Sequence, residues 1–342
     1  MKILLFELDS KSGANIFNRV LFRFLKERGY DVTLRTLPLL YEPFLEAEEA
    51  AATWLGKRKQ DRLYDIIHAP SISGAPVKAN TLTFHLLNAQ SGYLRQEDMA
   101  KKFYWNVLMR KREERSIRNA KAITAVSAYT AAQVKKVYGV SADIIYNGID
   151  TGAFIPYSQD RGWLLAKLNL PPSFLEKKIL LFVGNATGRK GFDILKSTMR
   201  LLDDSFLCLT CGLRTSYSEE KIVSLGSLAY ERMPLVYNLC DLYVHPARLE
   251  GFGLSVAEAM GCAKPVVCGN VACLPELVED KKGGILCDLK PEAFKQAIEH
   301  IMRSANAREE MGMYNRQKCL ARFDYRISGQ QYLGVYEKVL KG

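Results

Sequence analysis

The 342-residue sequence contains no run of eighteen uncharged apolar residues, which excludes a helix able to span a bilayer. Its start, MKILLFELDSKSG, has only a short apolar stretch before Glu7 and Asp9, so no signal peptide is expected. Eight cysteines are present, but Cys208, Cys240, Cys268 and Cys287 sit in apolar segments, and the spacing fits neither a secreted disulfide framework nor a four-ligand zinc site. Cys208 and Cys211 form a CxxC on a run of strand type, where positions three apart face opposite sides, so they read as core thiols in a reducing cytoplasm. No G-x-G-x-x-G follows the first apolar run; DSKSGANIFN carries Gly13 alone, and bound NAD or FAD is not expected. GNATGRKG, residues 184–191, is too short and wrongly spaced for a Walker phosphate loop, which removes an ATPase. No DxD-type acidic pair stands in the loops that would form a cleft, so no metal site is expected, and no residue is an obvious covalent nucleophile.

What is present suffices for two domains, each with its own core, since 48% of the residues are apolar. The formal charge of +11 raises the local concentration of nucleotide sugars, anionic lipid or nucleic acid without choosing among them. KILLFEL at 2–8 reads as a buried strand, followed by a helix, a glycine stop and a second strand, a βαβ opening. Residues 41–65 are charged and helical in composition. DIIHAP and NTLTFHLLN read as strands with His68 and His85 at or near their loop ends. Residues 101–121 carry eight basic and two acidic residues along a helix, either a solvated face or a surface for an anionic membrane or an acceptor. Ser127 caps the next helix, Gly139 ends it, and Asn147-Gly148 is a turn pair. A linker is expected from Tyr157 to Ser173, after which KILLF recurs at 178–182. Strand FLCLTCGL, a helical stretch from 218 to 224, and further alternation of strand and helix follow.

The most informative stretch is EGFGLSVAEAMGCAKPVVCGNVACLPE, 250–276. Gly251 and Gly253 allow a tight turn around Phe252, Ser255 can cap a short helix of small residues, and Gly261 marks its stop. The amides of that first turn, including Leu254 and Ser255, would stabilise an anion. Ser255 and Glu258 also have capping-box spacing, so Glu258 has a structural reading beside a ligand-binding one; Glu250 reads either as a ligand-binding carboxylate or as a solvated loop residue. Arg189 and Lys190 stand where FDILKSTMRLL starts a helix, and cations there are unfavourable unless an anion lies between them.

Two Glu separated by seven residues with Gly-Phe-Gly between them resemble the signature of the retaining GT-B members of glycosyltransferase family four. The resemblance covers nearly the whole chain, with the discriminating motifs between Gly184 and Glu276. It implies an α/β fold of GT-B type, with two Rossmann-like doubly wound parallel-sheet domains facing a cleft: 1–156 on the acceptor side, 157–325 for the nucleotide-sugar donor, and a terminal helix of about 326–342 packed back on the first. It further implies that Glu250 contacts donor-sugar hydroxyls, Glu258 the ribose, Lys190 the diphosphate, and His85 the donor sugar. The backbone of 224–228 would meet the base, and Gly13 would lie near the phosphates. Asn185 departs from the family, which has Arg there; Arg189 is the candidate replacement. The expected function is retaining, metal-independent transfer of a sugar from a nucleoside-diphosphate donor to a hydroxyl acceptor in the cytoplasm, without a cofactor and without a nucleic-acid partner. The alternatives are a nucleotide-sugar epimerase on the same fold and a catalytically silent binding subunit.

Overall fold

Apolar runs of strand length dominate the sequence, and in the computed structural model of the chain they build two sheets. The structure describes residues 1–8, 13–37, 63–71, 77–87, 99–213, 218–219 and 221–342. The chain forms two units, residues 1–148 with 323–342, and residues 149–322.

In the first unit Lys2–Leu8 (β1) leads through Gly13–Glu27 (α1) to Asp31–Leu37 (β2), and Gly29, at φ 78°, ends the helix. Ile66–Pro70 (β3), Thr81–Phe84 (β4), Met99–Asn119 (α2), Ala122–Ala125 (β5), Ala128–Tyr138 (α3) and Asp143–Ile144 (β6) follow. The strands form one parallel sheet in the order β2-β1-β3-β4-β5-β6, with Ile3 opposite both Val32 and Ile66. Ser127 caps α3 by accepting from the Thr130 amide at 3.0 Å, and Gly139 closes the helix at φ 73°. The expected helical segment 41–65 lies, up to residue 62, outside the described residues.

One expectation for these strands is corrected. His68 does not face a loop. β3 is flanked by β1 and β4, which buries the ring in mid-strand, 2.7 Å from the Tyr336 hydroxyl through Nδ1 and 2.6 Å from the Thr83 hydroxyl through Nε2. Burial, with a smaller contribution from His85, lowers its pKa to about 3. The basic helix α2 does form, but its charges are split. Glu113 is buried and accepts from Ser71 (3.0 Å) and Tyr138 (2.6 Å), Arg112 is buried beside it in sequence, and Arg110 pairs with Glu114 in the more exposed part.

The second unit opens on Arg161–Leu168 (α4), in place of the expected linker. Asp160 caps it, accepting from the Trp163 amide at 2.8 Å, Asn169 stops it in the left-handed region at φ 55°, and Leu164 and Leu165 bury its apolar face. Lys178–Val183 (β7), Phe192–Leu201 (α5) and Phe206–Cys211 (β8) repeat the βαβ pattern. The stretch expected as helix over 218–224 is instead Ser218–Glu219 (β9) and Ile222–Ser224 (β10). So short a segment cannot sustain a helix alone, whereas β10 pairs in parallel with β8 and buries Ile222. Met233–Leu239 (α6), Leu242–His245 (β11), Leu254–Gly261 (α7), Val266–Gly269 (β12), Leu274–Leu277 (α8), Gly284–Cys287 (β13), Pro291–Met302 (α9) and Ala305–Arg322 (α10) complete the unit. The sheet order is β13-β12-β11-β7-β8-β10-β9, parallel except for β9. All eight cysteines are buried free thiols, with Cys208 and Cys211 on β8.

Tyr325–Lys341 (α11) belongs to the first unit, where Tyr332, Leu333, Val335 and Tyr336 share a core with Ile3, Leu5 and Phe17. Gly148 makes no turn of the expected kind. A Cβ there would fall 2.3 Å from the Tyr325 Cα, so close packing of the returning chain is what requires glycine.

Candidate active site

In the second unit β7 is the first strand, β8 continues on one side of it and β11 on the other, so sequence order reverses between β7 and β11. At such a switch point the loops leaving the strands' carboxyl ends diverge and leave a crevice. Those two loops are Gly184–Gly191 and Pro246–Gly253, the two motifs singled out in the sequence.

The loops are laced together. Arg248 donates its amide to the Arg189 carbonyl at 2.8 Å and its guanidinium to the Gly188 carbonyl at 2.6 Å, while Arg189 donates to the Leu249 carbonyl at 3.0 Å. Arg248 also grips Asp193, in the first turn of α5, through both oxygens at 2.7 and 2.6 Å. Gly191, at φ 69°, lies so close to Pro246 that a Cβ would stand 1.9 Å from its carbonyl oxygen. The loop after β7 is a single 3₁₀ turn, Gly188–Lys190, and it directs both cations at Glu250.

Glu250 is buried, its Oε1 accepts from Lys190 and from His245 Nε2 at 3.3 Å, and the Arg189 guanidinium forms an ion pair with the same oxygen at 3.3 Å. Burial pushes this carboxyl up, but the Lys190 and Arg189 charges and the His245 hydrogen bond outweigh it and hold the pKa well below the usual carboxylate range. The anion that two cations at a helix start require is therefore supplied, in the free protein, by the chain itself.

The second carboxylate sits in α7. Glu258 is buried and accepts from the Tyr230 hydroxyl at 2.9 Å and the Tyr237 hydroxyl at 2.7 Å. Burial raises its pKa to about 7, against the two tyrosine hydrogen bonds and the Lys190 charge, which lower it. The capping-box geometry is not adopted. The N-cap of α7 is Gly253, at φ 91° and without a side-chain cap bond, so Ser255 lies inside the first turn. The helix does end at Gly261, as expected, though not through that glycine's conformational freedom. The 6→1 bond from the Lys264 amide to the Ala259 carbonyl and the left-handed Ala263 (φ 55°) stop it, while Gly261 packs where a Cβ would be 2.8 Å from Ile149. The amides of Val256 and Ala257 return to the Gly253 carbonyl, and those of Leu254 and Ser255 donate to no backbone carbonyl among the described residues.

The structure thus gathers Arg189, Lys190, Glu250, Gly251, Phe252, Gly253, Leu254, Ser255 and Glu258 in one unit. Gly13 and His85 belong to the other. Gly13 is the first residue of α1, and the loop before it lies outside the described residues. His85 directly follows β4, edge-on to Phe17 at 5.0 Å; neither ring nitrogen has a hydrogen-bond partner among the described residues, and burial lowers its pKa to about 4. Asn185 is exposed. Among the described residues, no three His, Cys, Asp or Glu side chains converge as metal ligands. Four partners escaped the sequence reading: His245, Tyr230, Tyr237 and Arg248. His245 closes the apolar run DLYVH five residues before Glu250, a usable signal; the tyrosines come from other elements and leave none.

Residues 170–318 match the family described as glycosyl transferases group 1, and residues 11–153 match glycosyltransferase family 4. The alpha-maltose-1-phosphate synthase of Mycobacterium tuberculosis is 27% identical over 257 residues, covering 66% of this chain and 65% of the relative. The GDP-mannose-dependent alpha-(1-6)-phosphatidylinositol monomannoside mannosyltransferase of Mycolicibacterium smegmatis is 26% identical over 62% of this chain and 60% of its own. The matched stretches thus span less than two thirds of these relatives' length. Among solved structures, sucrose-phosphate synthase from Thermosynechococcus elongatus superposes with a TM-score of 0.85 at 20% identity, covering 100% of this chain and 99% of its own. Anabaena HepE, solved with UDP and glucose, gives 0.77 at 19% identity, over 98% and 99%. The shared fold is GT-B, with a Rossmann-like parallel sheet in each domain.

Proposed function

The chain belongs to the family-4 glycosyltransferases of group 1, and on that premise we propose that it is a retaining, metal-independent enzyme moving a hexose from a nucleoside-diphosphate sugar to an acceptor hydroxyl. One observation carries the reading: two cations from one switch-point loop and a buried carboxylate from the other meet beside a second buried carboxylate that accepts from two tyrosine hydroxyls. Breaking the anomeric C–O bond puts positive charge on the sugar and extra negative charge on the departing diphosphate, so stabilisation must come from cations and amides already aimed there. Lys190, Arg189 and the Leu254 and Ser255 amides serve the phosphates, in place of a divalent ion. Glu250 receives the sugar hydroxyls, and Glu258 exchanges a tyrosine hydroxyl for the ribose. With no covalent nucleophile assigned, the acceptor attacks the face the leaving phosphate vacates, and that phosphate takes its proton. The first domain, which carries Gly13 and His85, is assigned to the acceptor. The enzyme works in the cytoplasm, and the basic helix α2 is its surface toward an anionic membrane. The UDP and glucose bound by HepE support a nucleotide-sugar donor.

Thermal-shift measurements with UDP, GDP, ADP and their sugars identify the base, because a ligand that binds only the native state raises its stability. The anomer formed, the effect of chelator, and Glu250→Gln then test the chemistry. Turnover of Glu250→Gln should collapse while affinity for the bare nucleotide survives. An inverted product, activity abolished by chelator and restored by magnesium, or an unaltered Glu250→Gln enzyme would each overturn the corresponding part.

A further inference from the structure

His245 is the last residue of β11 and is fully buried, its ring stacked on Tyr243 at 5.8 Å and 23°. Its two nitrogens have different partners: Nδ1 lies 3.2 Å from the Tyr243 hydroxyl and Nε2 3.3 Å from Glu250 Oε1. An ionised carboxylate can only accept, so the Nε2 proton belongs to the histidine. Nδ1 is the accepting nitrogen. The group facing it is the Tyr243 hydroxyl, and a phenol O–H has a proton to give there. A ring that accepts at Nδ1 and donates at Nε2 is neutral, which suits a buried site with Lys190 and Arg189 nearby.

Lys190, Arg189 and His245 all reach Oε1 of Glu250, and Oε2 takes part in none of these contacts. The two cations stand on long side chains and carry charge that an incoming diphosphate would claim. His245 can do neither: it is short, walled in and uncharged. We propose that His245 is a positioning residue, a fixed neutral donor that holds Oε1 of Glu250 so that Oε2 faces the ligand hydroxyl, and that keeps this hold when Lys190 and Arg189 turn to the diphosphate. The inference rests on the reading of Glu250 as the sugar-facing carboxylate. It extends that reading by explaining how a carboxylate keeps its orientation while its counter-ions are recruited elsewhere.

Two experiments decide it. The chain has only 4 histidines, so the tautomer can be assigned by long-range proton–nitrogen NMR on protein labelled with ¹⁵N-histidine. A neutral His245 with its proton on Nε2 supports the proposal, and a charged ring or a proton on Nδ1 overturns it. The second follows release of UDP from UDP-glucose, and of GDP from GDP-mannose in parallel. Because small misplacements of a reacting group cost up to about 100-fold, His245→Leu should lower turnover about 10- to 100-fold with nucleotide affinity changed less than about 3-fold. His245→Gln, whose amide can donate from the Nε2 position, should restore most of the rate. In a Glu250→Gln background His245→Leu should add nothing further, since the two act as one unit. Full activity of His245→Leu, or an equal additional loss in that background, overturns the proposal. If Glu250→Gln alone is silent, the reading of Glu250 fails, and the tautomer measurement still decides the hydrogen bond.

Discussion

Lys190 and Arg189 compete for one oxygen of Glu250, which makes their contributions separable by single substitutions. Lys190→Ala should reduce catalysis more than nucleotide binding, because its contact with the diphosphate strengthens as charge accumulates there. If Arg189→Ala is equally damaging, the site works with two cations. If it is silent while Asn185→Arg tightens binding of UDP or GDP, the site works with one. Unchanged binding and turnover in Lys190→Ala would remove the diphosphate from this loop. Glu258 gives a prediction about pH. Its folded pKa of about 7 lies above the ordinary value of 4.5, so its protonated form favours the folded state; this contribution is complete below about 4.5 and is lost as pH rises through 7. At about 1.4 kcal/mol per unit the swing is on the order of 3 kcal/mol. Thermal melts at pH 5 and pH 8 should show this component in the parent protein and not in Glu258→Gln, which should also bind nucleotide more weakly. An identical pH slope in both proteins would refute the assignment. Spacing made Glu250, Glu258 and Lys190 stand out in the sequence. It could not show that Lys190 and Glu250 touch, because sheet topology, not local pattern, joins residues 60 positions apart.

Among the elements, the alternation of strand and helix was legible because buried parallel strands are continuous apolar runs with little competing pattern. What was not legible depended on tertiary partners. β10 is a strand because β8 pairs with it, and α7 starts at Gly253 because the left-handed turn there, not the Ser255 hydroxyl, sets the first residue. Two glycines test how much of this is backbone conformation and how much is close approach. Gly139 and Gly191 share nearly the same positive φ, 73° and 69°, yet a Cβ meets nothing at Gly139 and the Pro246 carbonyl at Gly191. Gly139→Ala should cost about 1–2 kcal/mol of stability by urea denaturation. Gly191→Ala should cost about 3–5 kcal/mol and pull the two switch-point loops apart. Equal costs would mean that the lacing of the loops yields easily.

At the scale of the whole molecule, the last helix completes the first sheet's core. The His68 ring hydrogen-bonds Tyr336 on α11, and Thr83 meets Tyr332, so aromatic hydroxyls from the end of the chain satisfy polar groups near its beginning. Tyr336→Phe orphans His68 Nδ1 and should cost about 1–3 kcal/mol. Tyr325→Phe, which loses only an exposed bond to Glu27, should cost less than about 1 kcal/mol. Equal melting temperatures for the two variants would show that the buried network contributes little.

The return of α11 also sets a timetable for synthesis. The second unit is one unbroken stretch and can close as soon as it leaves the ribosome, whereas the first, translated earliest, lacks the tyrosines of its core until everything in between has been made. At about 5–20 residues per second that wait is on the order of ten to thirty seconds. Throughout it the faces of β1 and α1 that later receive Tyr332 and Tyr336 are open to chaperones or to neighbouring nascent chains. The unit translated first is therefore the last to be finished.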